Sequence, residues 1–132
     1  GPIVIHRDQG WKIQAAGPTT SIREEPYMST LIERFSLTAV IGKGGMGKTT
    51  LAACQQFGCV YLHAVGGAAQ VLARSITSVQ NVFFYDTFGA PEAVWQLEVK
   101  DFPAMVTMDC HGGDLHADVR QRSAKRLQEL LD

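Results

Sequence analysis

The stretch Leu37–Thr50, LTAVIGKGGMGKTT, joins a short apolar run to a glycine-rich turn and the opening of a helical pattern. Leu37–Ile41 is continuous, apolar and short, as a buried parallel strand should be. Gly42, Gly47, Lys48 and Thr49 satisfy the pattern G-x-x-x-x-G-K-[ST]. Read alone, Gly42–Thr49 is a phosphate loop for a nucleotide. Backbone N–H groups would cradle phosphates at a helix N-terminus, the lysine would reach the terminal phosphates, and the hydroxyl would ligate magnesium. Asp86, after the apolar residues Val82–Tyr85, offers a magnesium-side carboxylate at a strand end. The flanks point elsewhere. A hairpin and a helix precede the loop, little chain follows it for switch elements, and the other glycine turns are left without a task.

Outward from the loop, strand and helix patterns alternate. Pro2–Ile5 and Trp11–Ala15 read as strands joined by the polar turn Arg7–Gly10, which makes His6, Arg7 and Asp8 solvated turn residues. Ser21 and Glu24 form a capping-box pattern, with either an irregular first turn or a regular helix opening at Pro26. Met28, Leu31, Ile32 and Phe35 then recur at helical spacing, as one buried face. Thr49–Phe57 is a helix closed by Gly58. Val60–Leu62 is an interior strand, Val65–Gly67 a tight turn and Ala68–Ser75 a helix. Val82–Tyr85 and Val94–Val99 read as strands around a bend at Ala90–Glu92. Ala104–Cys110 is a further strand, His111–Asp114 a turn, and Ala117–Leu131 a helix whose apolar side is Val119, Ala124, Leu127, Leu130 and Leu131. The fold class is α/β, a single domain over 1–132 with a mixed sheet and flanking helices.

The chain has 132 residues, enough for one domain with a core. Its 45% hydrophobic and 19% charged content is that of a globular protein. A formal charge of −1 provides no electrostatic basis for nucleic acid or an anionic membrane, and no apolar run approaches a bilayer span. Cys54, Cys59 and Cys110 form an odd set without C-x-x-C, so buried thiols and a reducing, cytoplasmic setting are expected rather than a disulfide framework. An iron–sulfur run would need a close third cysteine, so no metal site is expected on this chain. The chain opens Gly-Pro directly into a strand, which reads as a piece of a longer natural chain.

Gly17–Arg23, GPTTSIR, changes the weight given to the glycine turn. Each of the two loops carries hydroxyls or backbone N–H groups beside one cation, Arg23 in the first and Lys43 in the second. If both lie at one end of a strand pair, two cations and several donors converge on a crevice suited to a small dianion. A guanidinium suits a bidentate carboxylate, and an ammonium serves as a point charge.

G-P-T-T-S-I-R and then V-I-G-K-G-G-M-G resemble the C-terminal domain of class I fumarate hydratases and the β subunit of L-tartrate dehydratase. The resemblance continues through CVYLHAVGGAAQVLA at Cys59–Ala73, FGAPEAVWQLEVKDFPA at Phe88–Ala104 and MDCHGGDL at Met108–Leu115. It implies a swivelling β/β/α domain of an iron–sulfur hydro-lyase that hydrates fumarate to malate or dehydrates tartrate. By that resemblance Thr19 matches the proton-transferring base with Thr20 beside it, Arg23 and Lys43 bind substrate carboxylates, and Gly44 and Gly45 let the backbone approach them. The [4Fe–4S] cluster then belongs to a cluster-bearing α subunit or N-terminal domain, in an oligomer, and Lys48 and Thr49 complete the phosphate pattern incidentally. The family's Arg-Asp-x-x-His block, well upstream of the Gly-Pro-Thr-Thr loop, has no counterpart, so the domain is expected to lack its N-terminal part. A non-catalytic assembly module that keeps the fold is the remaining alternative.

Overall fold

Residues 2–7, 10–17 and 19–131 are described by a computed structural model. In chain order the elements are β1 (Ile3–Arg7), β2 (Gly10–Ala15), a 3₁₀ turn (Ser21–Glu24), α1 (Glu25–Phe35), β3 (Ala39–Lys43), α2 (Lys48–Phe57) and β4 (Val60–Ala64). After them come α3 (Ala69–Arg74), β5 (Ile76–Phe83), α4 (Tyr85–Glu92), β6 (Val94–Val99), β7 (Met105–Met108) and α5 (Leu115–Leu131). The chain is mixed α/β, with three small sheets in the orders β1-β2, β3-β4-β7 and β5-β6. By their contacts these elements form two units, Gly1–Thr20 with Ala64–Ala104, and Ser21–His63 with Met105–Asp132.

The first unit is built on two antiparallel pairs. In β1–β2, His6 lies opposite Trp11 and Arg7 opposite Gly10; of the expected turn, Asp8 and Gln9 lie outside the described residues. His6 is therefore a strand residue, its ring 4.7 Å from that of Trp11. Trp11 also meets Trp95 edge-on, with centroids 5.2 Å apart, and the Trp95 indole N–H donates to the Ala90 carbonyl at 3.1 Å. Buried Ile13 and Ala15 of β2 and Leu72 and Ala73 of α3 are the apolar floor. Two expectations change here. The fifth strand begins at Ile76 rather than Val82, and residues 85–92 are helical rather than strand and bend. Gly89, at φ 71° and ψ 175°, is non-helical and separates two short helical stretches within this range.

The second unit carries the glycine turn. Pro26 falls in the first turn of α1, where an N–H has no intrahelical acceptor to lose. The capping box does not form, because the Ser21 hydroxyl accepts from the Lys43 N–H at 2.8 Å instead. Helix α2 ends as the sequence predicts, at Gly58 with φ 73°, whose N–H bonds the Cys54 carbonyl. Met28 and Ile32 of α1 join Met46, Ala53, Cys54, Cys59, Tyr61 and Met108 in one core, with Leu37, Val40 and Leu51 against it. Leu31 and Phe35 stay exposed, so the buried stripe of α1 is narrower than its periodicity suggests.

Strand β3 starts two residues later than expected and, as the edge of its sheet, leaves Ile41 exposed. Strand β4 pairs antiparallel with β7, Tyr61 opposite Met108 and His63 opposite Met105. The apolar side expected for the last helix is present, yet α5 has no buried residue among those described.

Ile32→Ala removes a side chain with no solvent exposure and should cost about 3 kcal/mol in denaturant unfolding. Phe35→Ala on the same helix should stay within about 0.5 kcal/mol of the parent. Equal losses at both positions would show that the buried stripe includes Phe35.

Candidate functional site

The back of the glycine turn is an anion site that the protein fills itself. The Glu25 carboxylate, from the first turn of α1, accepts from the N–H groups of Gly47 at 2.8 Å, Thr49 at 2.9 Å and Thr50 at 3.2 Å. It also accepts from the Thr50 hydroxyl at 2.6 Å. A helix N-terminus favours negative charge because its first N–H groups lack intrahelical partners. Partial burial raises the Glu25 pKa, but the Thr50 hydroxyl and the N–H groups of Gly47, Thr50 and Thr49 together bring it below the ordinary value. Gly47 is required for the approach, since a Cβ there would collide with this carboxylate.

The position where a phosphate would sit is therefore held by an internal carboxylate, and Lys48 and Thr49 are exposed first-turn residues of α2. Asp86 lies in the first turn of α4, in the first unit. The phosphate-loop reading of Gly42–Thr49 is not supported.

The front of the turn is organised differently. Lys43 is the last residue of β3, and its N–H is pinned to the Ser21 hydroxyl at the start of the 3₁₀ turn that carries Arg23. Gly44 sits at φ 76°, a conformation L side chains resist. Its carbonyl accepts from the Tyr61 hydroxyl at 3.2 Å and contacts His63 Nδ1 at 3.1 Å. Burial raises the Tyr61 pKa, which the Ser21 hydroxyl only partly offsets, so the phenol remains a donor. A Cβ at Gly42 would collide with both Ser21 Oγ and Tyr61 Oη. Gly45 faces the His116 ring, whose Nε2 is buried without a partner among the described residues.

Of the residues singled out by sequence, Arg23, Lys43, Gly44 and Gly45 belong to the second unit, and the Ser21–Lys43 bond joins the segments bearing the two cations. Arg23 is exposed and Lys43 half-buried. Thr19 and Thr20 are exposed and belong to the first unit, and Pro18 of their loop lies outside the described residues. Sequence reading missed Glu25, Tyr61, His63 and His116. The one local signal was the i, i+2 spacing of Tyr61 and His63, which places both on one face of a strand. The HGGD turn also has a structural account. Asp109 Oδ1 accepts from the His111 and Gly113 N–H groups at 2.8 and 2.9 Å, and Asp114 Oδ1 caps α5 through the Ala117 N–H.

The cysteines do not fit an iron–sulfur cluster. Cys54 and Cys59 are buried in the core, and burial, with Cys59 alongside, pushes the Cys54 thiol up to about 12. A thiol so hard to ionise is a poor metal ligand at neutral pH. No group of three His, Cys, Asp or Glu that could hold a metal ion exists among the described residues. Among the same residues no helix is long and apolar enough to cross a membrane.

On this mixed α/β chain, exposed Arg23 and half-buried Lys43 are carried by segments joined through the Ser21–Lys43 hydrogen bond beside the glycine turn. The family model for the Fumarase C-terminus matches residues 1–119, and the chain belongs to that family. A protein of Geobacillus stearothermophilus named "Putative fumarate hydratase class I" is 51% identical over 133 residues, covering 100% of this chain and 26% of that protein. The L(+)-tartrate dehydratase subunit beta of Escherichia coli strain K12 is 34% identical over 133 residues, covering 100% of this chain and 66% of that subunit. The chain thus spans about a quarter of the first relative and just under two thirds of the second.

The Glu25 cap carries a pH signature. The folded carboxyl titrates below its ordinary 4.5, so its stabilisation is full above about pH 4.5 and fades as pH falls through the lower folded value. Glu25→Ala should cost about 1–2 kcal/mol near neutrality, with the gap to the parent narrowing in acid. A gap that is constant from neutral pH down to pH ~3 would show that the charge of Glu25 does not contribute.

Proposed function

We propose that this chain is the C-terminal domain or β subunit of an iron–sulfur hydro-lyase that reversibly hydrates fumarate to malate or dehydrates tartrate. The observation that carries this reading is the family match over residues 1–119, together with a glycine turn whose phosphate end is filled and whose front end bears Lys43 next to the Arg23 segment. Arg23 grips one substrate carboxylate through its guanidinium fork, and Lys43 meets the other as a point charge. Gly44 and Gly45 keep that approach free of side chains.

When the proton leaves the carbon next to a carboxylate, negative charge gathers on that carboxylate, and fixed cations stabilise it most in the transition state. Thr19 exchanges this proton, with Thr20 beside it in the chain. An aliphatic hydroxyl is a poor proton acceptor near neutral pH, so this role calls for a strongly cationic surrounding or a relay partner.

The [4Fe–4S] cluster, which supplies Lewis-acid chemistry when bound, belongs to a partner subunit or a preceding domain. In support, the Escherichia coli relative is named as a beta subunit, and the Geobacillus protein is about four times as long as the matched stretch. The three cysteines are free, which supports a reducing, cytoplasmic setting. The assembly is an oligomer of this chain with its cluster-bearing part, and it acts on small dicarboxylates rather than on nucleic acid or membranes.

In the assembled enzyme, Arg23→Ala and Lys43→Ala should each lower kcat/KM by about 10–100-fold, the loss expected for one charge-assisted hydrogen bond. Lys48→Ala, outside the clamp, should remain near the parent. Steady-state kinetics with fumarate and with tartrate checks this, and unchanged kcat/KM in both clamp variants would defeat the proposal. This chain without the cluster-bearing part should be inactive.

A further inference from the structure

The Gly44 carbonyl oxygen is met by two groups from one strand. Tyr61 Oη lies 3.2 Å and His63 Nδ1 3.1 Å from it, and the two residues are two apart on β4, hence on one face. A carbonyl oxygen can only accept, so a hydrogen bond at this contact requires a proton on His63 Nδ1. The peptide bond is planar and trans, so holding the Gly44 C=O turns the Gly45 N–H to the opposite side of the turn. No hydrogen bond engages that N–H among the described residues. The His116 ring closes the turn from another direction, since a Cβ on Gly45 would come within 3.2 Å of His116 Cδ2. The His63 and His116 rings stand 5.3 Å apart. All of these residues belong to one unit.

We propose that His63, as its Nδ1–H tautomer and together with Tyr61, is a positioning residue that orients the Gly44–Gly45 peptide so that the Gly45 N–H donates to the substrate carboxylate beside Lys43. This rests on the reading of the turn as a carboxylate site. Two consecutive glycines have wide conformational freedom, and a donor that must be oriented anew at each binding event contributes less than one already in place. The anchor removes that freedom without entering the site, so its loss falls on substrate binding more than on the fold.

The test uses the full enzyme with its cluster-bearing part. His63→Leu removes the donor and keeps an apolar side chain, whereas His63→Asn places an amide N–H near the position of Nδ1. His63→Leu should raise KM for the dicarboxylate about tenfold, on the order of one hydrogen bond, with a smaller change in kcat and little change in Tm. His63→Asn should restore most of the loss. Parent-like KM in His63→Leu would overturn the proposal, as would equal impairment in the leucine and asparagine variants. Nitrogen NMR of the parent should show the Nδ1–H tautomer at His63. An active parent with the proton on Nε2 would sink the anchor alone, whereas a parent that turns over no dicarboxylate would sink the carboxylate-site reading beneath it.

Discussion

The Glu25 carboxylate on the N-terminus of α2 is the constraint on which the rest of the site depends. It supplies one charge to three backbone N–H groups and a hydroxyl, and charge-assisted bonds of this kind are stronger than neutral ones. It ties α1 to α2 across the core that holds Met28, Ile32 and Ala53. It also accounts for Gly47, which leaves no Cβ in the way of the carboxylate. An external phosphate at this end would have to displace four hydrogen bonds and face a like charge. The anion-binding capacity common to such turns is consumed within the fold at this end.

The front of the turn is held by neutral donors and acceptors. The Ser21 hydroxyl takes the Lys43 N–H, while Tyr61 and His63 meet the Gly44 carbonyl. These bonds fix the backbone at Lys43 and Gly44. At Gly44 a Cβ would meet nothing within 4 Å, whereas at Gly45 it would press on the His116 ring. Two uses of glycine are separated within the six residues 42–47. Gly42 and Gly47 admit protein side chains, whereas Gly44 provides a backbone conformation.

Much of the fold was legible because it is local. The left-handed cap at Gly58, the proline in the first turn of α1 and the paired strands flanking residues 7–10 each follow from a few adjacent residues. Residues 85–92 were read as a strand end and a bend, whereas short helical stretches form on both sides of non-helical Gly89. The exposed Leu31 and Phe35, and the uncovered apolar side of α5, show the limit of periodicity. A 3.6-residue pattern tells which side chains share a face, but not whether anything within the chain covers that face. Arg23, Lys43 and the glycines of the turn were singled out from paired loops and family blocks. Glu25, Tyr61, His63 and His116 were not, because they meet the turn through contacts that span 17 or more residues.

Sequence by itself determined the elements around the turn, the family and the presence of two cations in two loops. Taken alone, the glycine stretch has two chemically sound readings, phosphate at Lys48 and Thr49 or carboxylate at Lys43, and the family resemblance weighed for the second. Only the tertiary structure showed that the phosphate end is already occupied, by a carboxylate from another helix, and that Tyr61 and His63 hold the backbone next to Lys43. The reason is physical: an N–H donor has no identity in sequence, and which acceptor satisfies it depends on what the fold brings within 3 Å or so.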